Sequence, residues 1–153
     1  MARATSTRRT RSPLPRTEPE YLILADAAEA LNGKLYLMGG GWDSIFVRDI
    51  SQHVAIGIAC GILIPYGETD EEHTLTLAIE NQDGGQVASP LTVKFKTGRP
   101  PTLDRGASMH LPFAIKAEYT LPEYGTYLVR ATVDGRADST RVPSFAARPV
   151  PGA

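Results

Sequence analysis

The sequence predicts an all-β protein, an antiparallel β-sandwich of about eight strands. Three observations carry that expectation. Apolar residues recur at every second position in several separate segments, which is the period of a half-buried strand and not of a helix. Fourteen glycines and twelve prolines fall largely between those segments, where the chain must turn. The length, 153 residues, suits one domain with one core, and turn-separated strands at short spacing without a convincing long helix pack as two sheets.

The first 19 residues stand apart from this pattern. Arg3, Arg8, Arg9, Arg11 and Arg16 supply five of the 16 bases, and the first acid comes only at Glu18. The net charge of −1 therefore divides into +5 on residues 1–16 and −6 on the rest. Pro13, Pro15, Pro19 and several Ser and Thr accompany the arginines, with almost no large apolar side chain. Such a segment buries too little surface to offset its ordering entropy, so residues 1–19 are expected to be a disordered basic arm. No apolar stretch follows the charges, which excludes a signal peptide, and no run reaches the roughly 18 residues of a membrane span. The arm either contacts nucleic acid or an acidic surface, or is a solvated tail. Interleaved aromatic residues would favour the first, and it has none.

Residues 20–147 are expected to form the sandwich, with 148–153 a flexible C-terminal tail. Tyr21 to Leu24 opens it. Ala25 to Leu31 fits two readings: an alanine-rich helix capped by Gly33, or the first arm of a hairpin turning at Asn32-Gly33. The alternation in Lys34 to Met38 favours the hairpin. Gly39, Gly40 and Gly41 then break the strand before Trp42 to Val47. In His53 to Ile64, Val54, Ile56, Ile58, Cys60, Ile62 and Ile64 share one face, and Ala55, Gly57, Ala59 and Gly61 share the other. Bulky residues opposite tiny ones mark a central strand that something approaches closely on its small face. Further alternating strands follow at His73 to Glu80, Leu91 to Phe95, Met109 to Ile115, Gly125 to Val133 and Ser139 to Phe145.

One local pattern is more specific. Glu123, Gly125, Tyr127 and Val129 stand at steps of two. This resembles the tyrosine corner of immunoglobulin-like sandwiches, with Val129 where antibody domains carry a cysteine. The resemblance implies an immunoglobulin-like sandwich without a disulfide. From Tyr21 to about Val133 the chain also resembles a family of small uncharacterised β-domains of actinobacteria and their phages. The residues that carry this are Ala25-Asp26, Asn32-Gly33-Lys34-Leu35, Gly39-Gly40-Gly41-Trp42-Asp43, Pro65 with Glu68, Asp83-Gly84 and Gly98-Arg99-Pro100-Pro101. That resemblance implies a domain but no activity. A cytoplasmic location is expected, or a virion component if the chain is phage-encoded.

Candidate chemistry is sparse. His53 and His73 each begin a strand; if those strands are antiparallel neighbours, the imidazoles lie about 30 Å apart and cannot share an ion. The single Cys60 is expected to be buried and inert, and no Cys-x-x-Cys or His-x-x-x-His spacing exists. Glu68, Asp70, Glu71 and Glu72 offer hard oxygen ligands, but without the glycine and spacing of a calcium loop. No nucleophile elbow or phosphate loop occurs. No cofactor, metal or catalytic residue is expected, and the chain is read as a non-enzymatic binding or structural module. Its candidate partner-binding residues are Trp42 with Asp43, which follow the glycine run, and Arg99, Asp104 and Arg105 in the proline-rich loop. Each has a structural alternative: a core tryptophan, and an ion pair bracing the loop. A protein partner or self-association through an open sheet edge is the expected mode of engagement. The alternatives are a nucleic-acid-associated protein using the arginine arm and, third, a hydrolase with an unrecognised carboxylate site among the 17 acids.

Overall fold

The computed structural model describes residues 14–152, and in it ten strands form two facing sheets. They are β1 (Glu18–Leu31), β2 (Lys34–Gly40), β3 (Ser44–Val47), β4 (His53–Pro65), β5 (Glu72–Asn81), β6 (Leu91–Lys96), β7 (Ser108–Thr120), β8 (Gly125–Val133), β9 (Thr140–Arg141) and β10 (Ser144–Pro149). One sheet has the order β2-β1-β4-β7 and is antiparallel throughout. The other has the order β3-β10-β8-β5-β6, with β9 beside β8 and β3 parallel to β10. The last expected strand is thus two, broken at Val142-Pro143. No helix among the described residues is long and apolar enough to cross a membrane.

The core lies where the alternation places it. Ile56, Ile58, Cys60, Ile62 and Ile64 of β4 face Leu75, Leu77 and Ile79 of β5 and Tyr127, Val129, Ala131 and Val133 of β8. Phe145 completes the layer, stacked on Tyr127 with ring centroids 5.5 Å apart. β4 is buried on its small face too, and the cause is β1. The Tyr21 ring lies over Gly61, and the β1 backbone at Ala25 to Ala27 lies over Gly57.

β1 has two partners in succession. Glu18 to Ala25 pairs with β4, and Ala25 to Leu31 pairs with β2. The helical alternative for Ala25 to Leu31 is therefore excluded. Asn32 and Gly33, at φ 51° and 72°, form the two-residue turn whose left-handed geometry matches strand twist. The hairpin tip reaches back toward the outer face of its own sheet, where Gly33 and Leu35 share a small cleft with Tyr21, Gly61 and Pro112.

Two expected boundaries move. Thr17 is fully buried and β1 starts at Glu18, so the packed unit begins before residue 20. At the other end Arg148 and Pro149 pair with Phe46 and Val47, so the expected tail from 148 is partly strand. Arg3, Arg8, Arg9 and Arg11, with the expected disorder of the arm, lie outside the described residues.

Candidate binding surface

The residues singled out in the sequence do not gather into one site. Trp42 lies where the chain crosses from β2 to β3 and is half-buried, edge-on to Phe145 with ring centroids 5.9 Å apart. It serves the core as a sandwich tryptophan does. Asp43 is exposed, and its backbone carbonyl accepts from the Ala146 amide at 2.8 Å. Arg99 reaches across to the β4–β5 connection. Its guanidinium donates to Thr69 Oγ1 at 2.6 Å and to the Tyr66 carbonyl at 3.1 Å, and stands 4.3 Å over the Tyr66 ring. It braces the loop through backbone and ring, not through an ion pair with Asp104. The Asp104 carbonyl closes the turn to Ala107, and Arg105 borders a cleft of about 510 Å³ between Leu14–Arg16, Tyr66–Glu68 and Gly106–Ser108.

The acidic loop is committed locally. Glu68 accepts from the Thr17 amide at 2.6 Å and from Arg16 at 2.5 Å, and Glu72 pairs with Lys94 at 3.3 Å. The one arm arginine among the described residues is thus held by the domain. Partial burial by itself would raise the Glu68 carboxyl; the hydrogen bonds from Thr17 and Arg16 outweigh it and hold the group below its ordinary value. Among the described residues, no three His, Cys, Asp or Glu side chains gather around one point. The premise that His53 and His73 start neighbouring strands is corrected, because β4 and β5 lie in opposite sheets. Cys60 is buried, and burial pushes its thiol up to about 12, so it stays protonated near neutral pH.

An exposed apolar surface occurs instead on the β1–β2 hairpin. Met38 is 72% exposed, Tyr36 53% and Leu31 52%, and Leu37 is exposed as well. β2 pairs with β1 on one side and ends its sheet on the other. The remaining sheet edges carry the usual protections against stray pairing. β6 is short and bears Lys94 and Lys96; β7 contains Pro112, Lys116 and Glu118; β3 has four residues. After Lys34, β2 reads Leu-Tyr-Leu-Met-Gly-Gly without a charge or a proline, and from Tyr36 to Gly40 it is exposed among the described residues; Leu35, nearer the tip, is half-buried beside Leu111 and Pro112. The sequence expectation of an open edge did not say which strand it was, because alternating apolar residues in Lys34 to Met38 read as a buried strand. The available signal was Glu29, which the Asn32-Gly33 turn places directly opposite Tyr36: a carboxylate on that face marks it as turned to solvent.

No curated protein matches the chain. A family model described as a family of unknown function, DUF6941, matches residues 20–142, a span that takes in most of β1 and every strand from β2 to β9. The chain belongs to the DUF6941 family.

Proposed function

We propose that this domain is a non-enzymatic, immunoglobulin-like binding module that engages a protein through the free edge of β2. The observation that carries the proposal is the uncharged, exposed and unprotected stretch 36–40 of β2 at the end of a sheet whose other edges are guarded. An extended segment of a partner adds there by main-chain hydrogen bonds, with Tyr36 and Met38 gripping its side chains.

The immunoglobulin-like reading has two supports. β1, β4 and β7 stand in the order of strands A, B and E, and β10, β8, β5 and β6 in the order G, F, C and C′. Tyr127, on the strand equivalent to F, donates its hydroxyl to the Glu123 carbonyl at 2.5 Å and accepts from the Glu123 amide at 3.3 Å. That is the hydrogen bond of a tyrosine corner. A host-side accessory or phage-encoded component fits such a module.

The test is site-specific crosslinking in the native host. Met38 on β2 and Lys94 on β6 are each replaced by a photo-crosslinking amino acid. A discrete adduct from position 38 and none from 94 is the expected result. No adduct from position 38 ends the proposal.

A further inference from the structure

We infer that the occupant of the β2 edge is a second copy of this chain, paired antiparallel about Leu37. The inference rests on the binding reading above and names its partner. It starts from the hairpin register. In a hairpin closed by a two-residue turn, the closing pair Leu31–Lys34 is hydrogen-bonded, and pairs then alternate between bonded and non-bonded. Tyr36 opposite Glu29 and Met38 opposite Ala27 are bonded pairs, whose backbone groups point toward β1. Leu35 opposite Ala30 and Leu37 opposite Ala28 are non-bonded pairs, so their N–H and C=O groups point to the free edge.

A two-fold axis at Leu37 uses this arrangement directly. Leu37 meets its own copy and the two exchange both backbone bonds. Tyr36 falls opposite Met38 of the other copy, and Met38 opposite Tyr36, so each aromatic ring receives a thioether, a favourable pairing. Leu35 falls opposite Gly39, which has no side chain of its own, although the Asp26 carboxylate leans over it from β1. Lys34, the one charge on β2, falls opposite Gly40 and not opposite itself. Without the axis the strand would require a partner equally free of charge, since any acid or base brought against Leu35 to Met38 loses solvation without compensation. The strand's own sequence meets that demand at every position. The interface is isologous, as closed dimers of one chain require, and it joins two four-stranded sheets into one of eight.

The experiment is the oligomeric state of the purified full chain by sedimentation velocity over a micromolar concentration series. The expected species is a dimer of twice 16.5 kDa. Leu37→Pro removes an outward N–H while sparing every bond to β1, and is expected to raise the dimer dissociation constant about tenfold or more. Met38→Lys places a charge opposite Tyr36 of the other copy and is expected to do the same. Should Leu37→Pro prove unfolded by circular dichroism, Met38→Lys carries the test alone, because a side chain 72% exposed is not needed for folding. A chain that stays monomeric throughout, or a dimer indifferent to the folded variants, overturns the inference. The crosslinking experiment separates the two failures. A monomer that yields a heterologous adduct at position 38 loses only the second copy, and one that yields no adduct loses the edge reading too.

Discussion

His73 Nδ1 lies 2.8 Å from Asp134 Oδ2, joining the start of β5 to the turn after β8, while His73 Nε2 lies 2.9 Å from the Glu68 carbonyl. A carboxylate and a carbonyl can only accept, so this pair of contacts favours the doubly protonated ring, with the Thr17 hydroxyl a further neighbour of Nε2 at 3.4 Å. Burial by itself would push His73 down; the hydrogen bonds to Asp134 and Glu68, with the charge of Asp134, outweigh it and raise the group above its ordinary value. For Asp134, burial alone would raise the carboxyl, but the bonds from His73 and the Thr74 amide hold it low.

This cluster dictates a pH dependence of stability. His73 titrates near 6.5 in the unfolded chain and higher in the fold, so its contribution is complete below about pH 6.5 and is lost as pH rises through the raised folded value. Asp134 and Glu68 contribute above their ordinary range near about 4, and that part is lost as pH falls through their lowered values. Calorimetry should therefore show a melting-temperature plateau in mildly acidic solution, with a decline on the alkaline side. His73→Leu should lower stability by about 1–3 kcal/mol at the plateau and flatten the alkaline decline. A decline that survives the substitution unchanged assigns it to another group.

Tyr127 and Tyr124 both carry bonded hydroxyls, and the structure ranks them. Tyr127 is 1% exposed, and its hydroxyl serves both the amide and the carbonyl of Glu123. Tyr124 is exposed on its outer side and donates to the Val47 carbonyl at 3.0 Å, where water can replace it. Tyr127→Phe is expected to cost about 1–3 kcal/mol, and Tyr124→Phe less than about 1. Urea unfolding of both variants gives the ranking, and the reverse order would remove the tyrosine corner as a stabilising element.

The positions that were legible in the sequence are those whose neighbours are set by local rules. The two faces of β4 follow from strand alternation alone, and the turn at Asn32-Gly33 follows from backbone stereochemistry. Tyr127 found Glu123 because only four residues separate them. What could not be read depends on distant contacts. Thr17 is buried by Glu68 and Arg136, which are 51 and 119 residues away. Arg99 in a proline-rich loop has the same sequence whether it faces a partner or the Tyr66 ring. Tyr36 and Met38 alternate like core residues, and only the placement of β2 at a sheet edge leaves them in solvent.

The N-terminal boundary is a direct test of that distant packing. Thr17 bonds Glu68 through its amide, and its carbonyl accepts from Arg136. Glu18 pairs with Leu63. A chain beginning at Leu14 keeps all of these, and one beginning at Pro19 keeps none. The shorter chain should be about 2–3 kcal/mol less stable than the longer. Thermal melts of the two settle it, and coincident melts would return the boundary to residue 20.

The last prediction concerns how the hairpin is held against β4. A methyl on Gly57 would stand 2.9 Å from the Ala25 carbonyl oxygen and 3.2 Å from the Ala27 backbone. Those atoms form the bend where β1 leaves β4 for β2, and backbone cannot step aside as a side-chain tip can. A methyl on Gly61 meets the Tyr21 ring at 2.2 Å, a harder overlap on paper, but the half-buried ring can swing outward. A methyl on Gly67 meets nothing within 4 Å. Gly57→Ala should therefore cost about 1–3 kcal/mol, whereas Gly67→Ala should stay within about 0.5. Gly57→Ala and Gly61→Ala should also differ in kind. Gly57→Ala lifts the bend and should speed hydrogen exchange at the β2 amides bonded to β1, those of Tyr36 and Met38. Gly61→Ala displaces a ring and should leave them protected. If Gly57→Ala is as silent as Gly67→Ala in both measurements, β1 does not rest on β4 at its bend, and the small face of that strand has no structural reason to be small.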